Sequence, residues 1–179
     1  PVTLRPKEDG RYEIVSGHRR KKACELAGFD TVKAEVREMT RDEAIILMVE
    51  SNLQRSVILP SEKAFSYKMR LEAMKRQAGR PAQDNYSPLG NNSFGTKSSD
   101  EMAAEVGESK NTIFRYIRLT ELIPELLDLV DEGRIAFRPA VELSYLQKEE
   151  QRALLEQIAY ADATPSLAQA IKLKRFSQD

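Results

Sequence analysis

The spacing of apolar residues changes along the chain. Val2 to Leu4 and Tyr12 to Val15 read as two short strands around a turn at Lys7 to Gly10. A helix is predicted from about His18 to Ala27, stopped by Gly28, which accepts the left-handed conformation common at helix ends. Val32 to Val36 alternates apolar and polar and predicts a third strand. Thr40 and Glu43 have the spacing of a capping box, opening a helix with Ala44, Ile45, Leu47 and Met48 that runs toward Asn52. Pro60 and Ser61 open a longer helix, with Phe65, Met69, Leu71 and Met74 as its apolar positions.

Residues 80–98 break this pattern: Pro, Gly, Asn and Ser dominate, which predicts a loop. Everything after it reads helical. Ser98 and Glu101 form a second capping box, Gly107 interrupts, and Ser109 caps a helix from Lys110 to Leu119. Pro124 opens the next helix, closed by Gly133. Pro139 opens another toward Leu146, Leu154, Leu155 and Ile158 mark one more, and Pro165 starts the last. The expected fold class is α+β and predominantly helical. A small β-β-α-β N-terminal lobe, residues 1–59, precedes a helical domain, residues 60–179, with a helix-turn-helix at about 99–119.

Composition narrows the function classes. The 179 residues are 41% hydrophobic, enough to bury a core. With 28 basic and 28 acidic residues the net charge is zero, so any attraction to nucleic acid must come from local clusters. The single cysteine excludes an internal disulfide and cysteine-based zinc motifs, and fits a reducing compartment. Its place among Ala23, Leu26 and Ala27 predicts that Cys24 is a buried small hydrophobe. No apolar run approaches the ~20 residues of a membrane span, and no signal-peptide pattern is present. The start at Pro1, without a methionine, suggests a piece of something longer.

Two constellations carry candidate chemistry. In the first, a strand ends at Ser16-Gly17 and a helix begins with His18, Arg19, Arg20, Lys21 and Lys22. The first amides of a helix have no internal partner and sit at the positive end of its dipole, so this arrangement suits an anion. Arg19 and Arg20 can add bidentate contacts, while Lys21 and Lys22 read as solvated. A plain basic helix face explains the run about as well. A second polar cluster, Asn52, Gln54 and Arg55, lies where the next helix runs out and suits phosphate, metal-water or base-edge contacts. An ordinary polar helix end is the competing reading.

The second constellation is the helix-turn-helix. Val106, Ile113 and Ile117 supply a shared core, and Ala103 allows close crossing. Ser109, Lys110, Asn111 and Thr112 begin the helix that would enter a major groove. Asn111 suits adenine, Ser109 and Thr112 suit phosphates or base edges, and Lys110, Arg115 and Arg118 suit the backbone. Lys68, Arg70, Lys75, Arg76 and Arg80 can extend that basic surface or form a solvated face. A plain helical hairpin is the alternative.

Residues 15–28, VSGHRRKKACELAG, resemble the Gly-Glu-Arg-Arg box of the ParB/RepB partitioning proteins, and residues 50–55, ESNLQR, resemble their Glu-Asn-Leu-Gln-Arg box. Order and spacing agree from about Val2 to Leu146. The resemblance implies a CTP site in which Ser16, Gly17, His18, Arg19 and Arg20 meet the phosphates and Asn52, Gln54 and Arg55 complete it. Mg²⁺ would bridge phosphate oxygens with Asn52 nearby. It also implies a cytoplasmic, nucleoid- or plasmid-associated protein that binds a centromere-like DNA site. CTP would close a dimer into a clamp, and a ParA-type ATPase would be a partner of the full-length protein. The family's further N-terminal segment and C-terminal dimerisation region look absent or reduced here.

Two positions depart from the family. His18 and Ser51 stand where its boxes carry glutamates, and Glu50 is one residue early, a rotation of about 100° on a helix. Nucleotide binding is therefore the firmer expectation, with weak CTP hydrolysis left open. A plain helix-turn-helix regulator of transcription or replication, its nucleotide site degenerate, is the rival reading. An independent hydrolase or nuclease ranks last. Sulfiredoxin shares a Gly-Cys-His-Arg box, but no cysteine stands between Gly17 and His18.

Overall fold

The computed structural model describes residues 1–53, 58–77 and 96–178. Its backbone divides into two compact units, Pro1–Ser56 with Met69–Gly95, and Val57–Lys68 with Thr96–Asp179. None of the described helices is long and apolar enough to cross a membrane.

In the first unit β1 (Val2–Pro6) and β2 (Tyr12–Ser16) pair antiparallel, with Leu4 opposite Ile14 and Pro6 opposite Tyr12. Asp9 holds the turn between them by accepting from the Arg11 amide at 3.0 Å. The helix α1 (His18–Leu26) then carries the chain to β3 (Ala34–Val36), which lies parallel to β1 on its other side, giving the order β2-β1-β3. The predicted β-β-α-β unit is thus present. Val2 and Val15 from the strands are buried, as are Ala44 and Val49 of α2 (Arg41–Leu53). The predicted capping box starts α2: the Thr40 amide donates to Glu43 Oε2 at 2.7 Å and the Glu43 amide to Thr40 Oγ1 at 3.2 Å.

One expectation about α1 fails. Cys24 is only half-buried, and no residue of α1 is buried. Its apolar residues are confined to the C-terminal half, too short a stripe to seat the whole helix, and Leu26 remains 78% exposed.

The helix α3 (Pro60–Gln77) gives its first half to the second unit and its second half to the first. Of the four apolar positions expected, Leu71 is buried and Met74 half-buried, but the other two are not. Ala64, Tyr67 and Leu71 form the inward stripe at i, i+3 and i+7, while Phe65 and Met69 are exposed. Side-chain size favours Phe65 and Met69, whereas the helical period seats an alanine and a tyrosine.

The second unit is all helical: α4 (Thr96–Val106), α5 (Lys110–Leu119), α6 (Pro124–Asp131), α7 (Phe137–Leu143), α8 (Lys148–Ala161) and α9 (Leu167–Gln178). Leu119, Leu122, Leu126, Ile135, Leu143 and Ile158 are among the residues of one contiguous core. Three helix starts are shifted, one of them by two residues, since α9 begins at Leu167 and not at Pro165. Because α4 begins at Thr96, Ser98 lies inside the helix and cannot be its cap; residues 80–95 of the predicted loop lie outside the described residues. Pro139 is the third residue of α7, whose cap is Ala136. Proline is tolerated there because a first-turn amide has no internal acceptor to lose.

Candidate functional site: a bare helix N-terminus and a helix-turn-helix

Gly17 sits at the junction of β2 and α1 with φ 103°, in the left-handed region that disfavours side chains. A Cβ there would lie 2.9 Å from Val2 Cγ1 and 3.1 Å from Val2 Cα. Conformation and packing against β1 therefore both demand glycine. As N-cap it offers no side chain to the helix, and the first internal bond runs from the Lys21 amide to the Gly17 carbonyl at 2.9 Å. The amides of His18, Arg19 and Arg20 thus precede the first helical donor and have no carbonyl of the helix to bond to. These three side chains are exposed, and no acidic residue occupies the first turn. The Arg20 guanidinium also meets the Pro1 carbonyl.

A hydrogen bond joins the two sequence boxes. Ser16 Oγ at the end of β2 and Ser51 Oγ in the last turn of α2 are 2.9 Å apart and partly buried. This places Ser51 beside the residue that precedes Gly17; the next residue, Asn52, is half-buried. Gln54 and Arg55 lie outside the described residues. Glu50, the displaced carboxylate, accepts from Arg70 Nη2 at 2.9 Å, and Arg70 is only 4% exposed. Glu50 is therefore committed to a nearly buried guanidinium.

Bare amides backed by Arg19 and Arg20 are donors that fit phosphate oxygens. For a metal, no group of three or more His, Cys, Asp or Glu side chains able to hold an ion occurs among the described residues. Asn52 is the candidate nearby ligand, so most of a metal's oxygens there would have to come from the phosphates.

The second unit holds the helix-turn-helix. The chain turns through Gly107, and Ser109 caps α5 by accepting from the Thr112 amide at 3.1 Å. The hydroxyls of Ser109 and Thr112 also bond to each other at 2.9 Å. Met102 of α4 and Ile113 and Ile117 of α5 are buried, with Val106 half-buried beside them in sequence order. Lys110 forms an ion pair with Asp100. Asn111 and Arg115 are exposed, and neither side chain has a hydrogen bond or ion pair among the described residues. Arg118 turns back into the unit: Nη2 donates to the Ser144 carbonyl at 2.8 Å, and the guanidinium stacks 4.1 Å from the centre of the Tyr145 ring.

The cations of α3 are largely occupied. Lys68 pairs with Glu121 at 3.7 Å and Arg76 with Asp42 at 2.8 Å, in addition to the Arg70–Glu50 pair. These three are therefore not free cations; Lys75 is half-buried, and Arg80 lies outside the described residues. The sequence reading missed two other features: Ser51 as the tie to Ser16, and Tyr145 as the platform for Arg118. The first was legible only as a lost glutamate, and no motif marked the second.

Residues 1–53 match the family model of the ParB N-terminal domain, and residues 91–170 match that of the ParB HTH domain. The chain belongs to the ParB family. It is 31% identical over 172 residues to the chromosome-partitioning protein Spo0J of Thermus thermophilus, covering 96% of this chain and 55% of that protein. It is 27% identical over 179 residues to the probable chromosome 1-partitioning protein ParB of Deinococcus radiodurans, covering 100% and 54%. A nucleoid occlusion protein of Geobacillus is 27% identical over 159 residues, covering 88% and 49%. The chain thus spans about half the length of the curated relatives it matches. The C-terminally truncated ParB of Caulobacter crescentus, crystallised with the centromeric parS site, has the same fold at a TM-score of 0.50 and 23% identity, covering 99% of this chain and 81% of that one.

Proposed function

We propose that this chain is the DNA-reading and nucleotide-responsive part of a ParB-type partition protein. Residues 1–59 would serve as the nucleotide lobe and residues 60–179 as the DNA-binding domain. The observation that supports the nucleotide half is the Ser16–Ser51 hydrogen bond, which ties the residue before Gly17 to the last turn of α2. The amides of His18, Arg19 and Arg20 receive the phosphates, the Arg19 and Arg20 side chains add charge, and Asn52, Gln54 and Arg55 close the site. Mg²⁺, when bound, neutralises phosphate charge. Cytosine as the base comes from family membership. Ser51 carries a hydroxyl and no carboxylate, and the Glu50 carboxylate is paired with Arg70, so neither offers a free carboxylate for water activation, and the site favours binding over turnover.

In the second unit the exposed Asn111 and Arg115 meet a centromere-like duplex, and the nucleotide gates closure of two copies around it. On this reading the protein works on the nucleoid or a plasmid, and a ParA-type ATPase would be a partner of the full-length protein. A plain DNA-binding regulator with a degenerate nucleotide site is the second reading; the commitment of Glu50 to Arg70 and the histidine at position 18 favour it.

Calorimetric titration decides between them. CTP, ATP, GTP and UTP are titrated in Mg²⁺ into the wild-type chain and the Arg20→Ala variant. Selective CTP binding that is lost in Arg20→Ala supports the gate. A folded wild-type chain that binds none of the four nucleotides rejects it for this chain and leaves the regulator.

A further inference from the structure

Arg118 lies on the helix assigned above to DNA, with a charge suited to phosphate, yet its guanidinium is used inside the unit. Two bonds reach Ser144 beyond the end of α7, 3.2 Å from Nε to Oγ and 2.8 Å from Nη2 to the carbonyl oxygen. Ser144 is itself buried, and its hydroxyl donates to the Val141 carbonyl at 2.7 Å. The next residue, Tyr145, carries two cations: the Arg118 guanidinium 4.1 Å and Lys174 Nζ of α9 3.8 Å from its ring centre. Lys174 in turn pairs with Glu142 of α7 at 2.9 Å. The chain of contacts Arg118–Tyr145–Lys174–Glu142 therefore ties α5, α7 and α9 together.

We propose that Arg118 and Tyr145 are positioning residues for sequence reading: they fix the angle of α5 on the α7–α9 pair, and Arg118 neutralises no phosphate. The proposal rests on the DNA-reading assignment for α5. A planar guanidinium can donate two bonds and stack at the same time, which an ammonium cannot do. Cation–π contacts at partly desolvated sites are individually modest, so the strut works through geometry more than through bulk stability. A small rotation of α5 would move Asn111 and Arg115 together, degrading base reading while leaving the number of phosphate contacts unchanged.

The test separates the two roles by salt dependence. A duplex is first enriched from a random library by the wild-type chain. Its affinity and that of a scrambled duplex are then measured by fluorescence anisotropy at several salt concentrations for wild type, Arg118→Ala, Arg118→Lys, Tyr145→Leu and Arg115→Ala. Each phosphate contact contributes about one unit to the slope of log affinity on log salt. Arg118→Ala and Tyr145→Leu are each expected to cut the enriched-to-scrambled affinity ratio about tenfold, the scale of one lost base-pair match, with the slope unchanged. Arg118→Lys should fail to restore the ratio, and Arg115→Ala should lower the slope by about one. If Arg118→Ala unfolds by circular dichroism, Tyr145→Leu and Arg118→Lys carry the test.

A slope lowered by about one in Arg118→Ala and restored in Arg118→Lys makes Arg118 a phosphate contact and overturns the proposal. Wild-type discrimination in both Tyr145→Leu and Arg118→Lys also overturns it. If the wild-type chain enriches no duplex, the DNA-reading assignment fails and the strut falls with it, a result distinct from either of the others.

Discussion

Two helices of this chain, α1 and α5, have cations in their first turns and are the two proposed to meet phosphate-bearing ligands, yet they are built in opposite ways. α1 has glycine for its N-cap, no side-chain cap and no buried residue. α5 has a serine cap already bonded to the Thr112 amide, and it buries Ile113, Ile117 and Leu119. The capping state indicates what each helix can present. Bare amides at α1 suit a small anion that must come close to the backbone. At α5 the cap already satisfies an amide, so the helix presents side chains on a seated rod, as duplex reading requires. Burial follows the same division, because a rod that sets side-chain positions must itself be held in place.

The largest expected effect breaks the comparison at the packing level. Ile113 is 1% exposed, and Ile113→Ala should cost about 2–5 kcal/mol through lost burial and a cavity. Leu26→Ala on α1, removing an equally large but exposed side chain, should stay within about 0.5 kcal/mol. Denaturant unfolding of both variants measures the difference; equal losses would mean that α1 is seated after all.

Gly17→Ala comes next and acts on α1 alone. A methyl group forced into φ 103° against Val2 should cost about 1–3 kcal/mol, and phosphate binding should be lost with it as the amides shift. Ser109→Ala is the counterpart on α5, removing one cap bond at a cost of about 1 kcal/mol and lowering DNA affinity only through fraying. Thermal melts with and without CTP rank the two. A milder effect of Gly17→Ala than of Ser109→Ala would contradict the close-packed junction.

The same contrast explains what could be read in the sequence. Strands, the Thr40 and Ser109 caps, and the Gly17 junction were legible because each depends on local chemistry: alternation, a hydroxyl three residues from an amide, a glycine before cations. The pairing of the two boxes was legible as motif order, but the Ser16–Ser51 contact, 35 residues apart, was not, because it depends on how α2 is packed. Arg70 and Arg118 read as surface cations, since charge is visible in a sequence and burial is not. Phe65 is the larger apolar side chain, but helical phase seats Ala64 and Tyr67, and phase depends on which face the rest of the chain covers.

The smallest expected effect sharpens the comparison between the two units through acid. Hydrogen bonds from the Thr40 amide and hydroxyl hold the Glu43 carboxyl below its ordinary value near 4.5. For Glu150 the Ser177 hydroxyl contributes most and the Gln147 amide next, again lowering it from 4.5. A carboxyl depressed in the folded state contributes stability that is complete above the ordinary value and is lost as pH falls through the folded one. Glu150 closes the capping box of α8, accepting from the amide of the cap residue Gln147 at 2.7 Å, so both caps should hold at neutral pH and weaken only below about 4.5. The consequences differ because Glu43 is held by its own cap residue, whereas Ser177 donates to Glu150 from α9, at 2.6 Å. Acid should fray the start of α2 in the first unit, but loosen the C-terminal end of α9 from α8 in the second. Carboxyl-detected NMR titration should show Ser177→Ala raising the Glu150 midpoint and leaving Glu43 unmoved, and Thr40→Ala doing the reverse. If Ser177→Ala leaves Glu150 where it was, the long-range bond contributes nothing in solution, and acid sensitivity in the two units reduces to local capping.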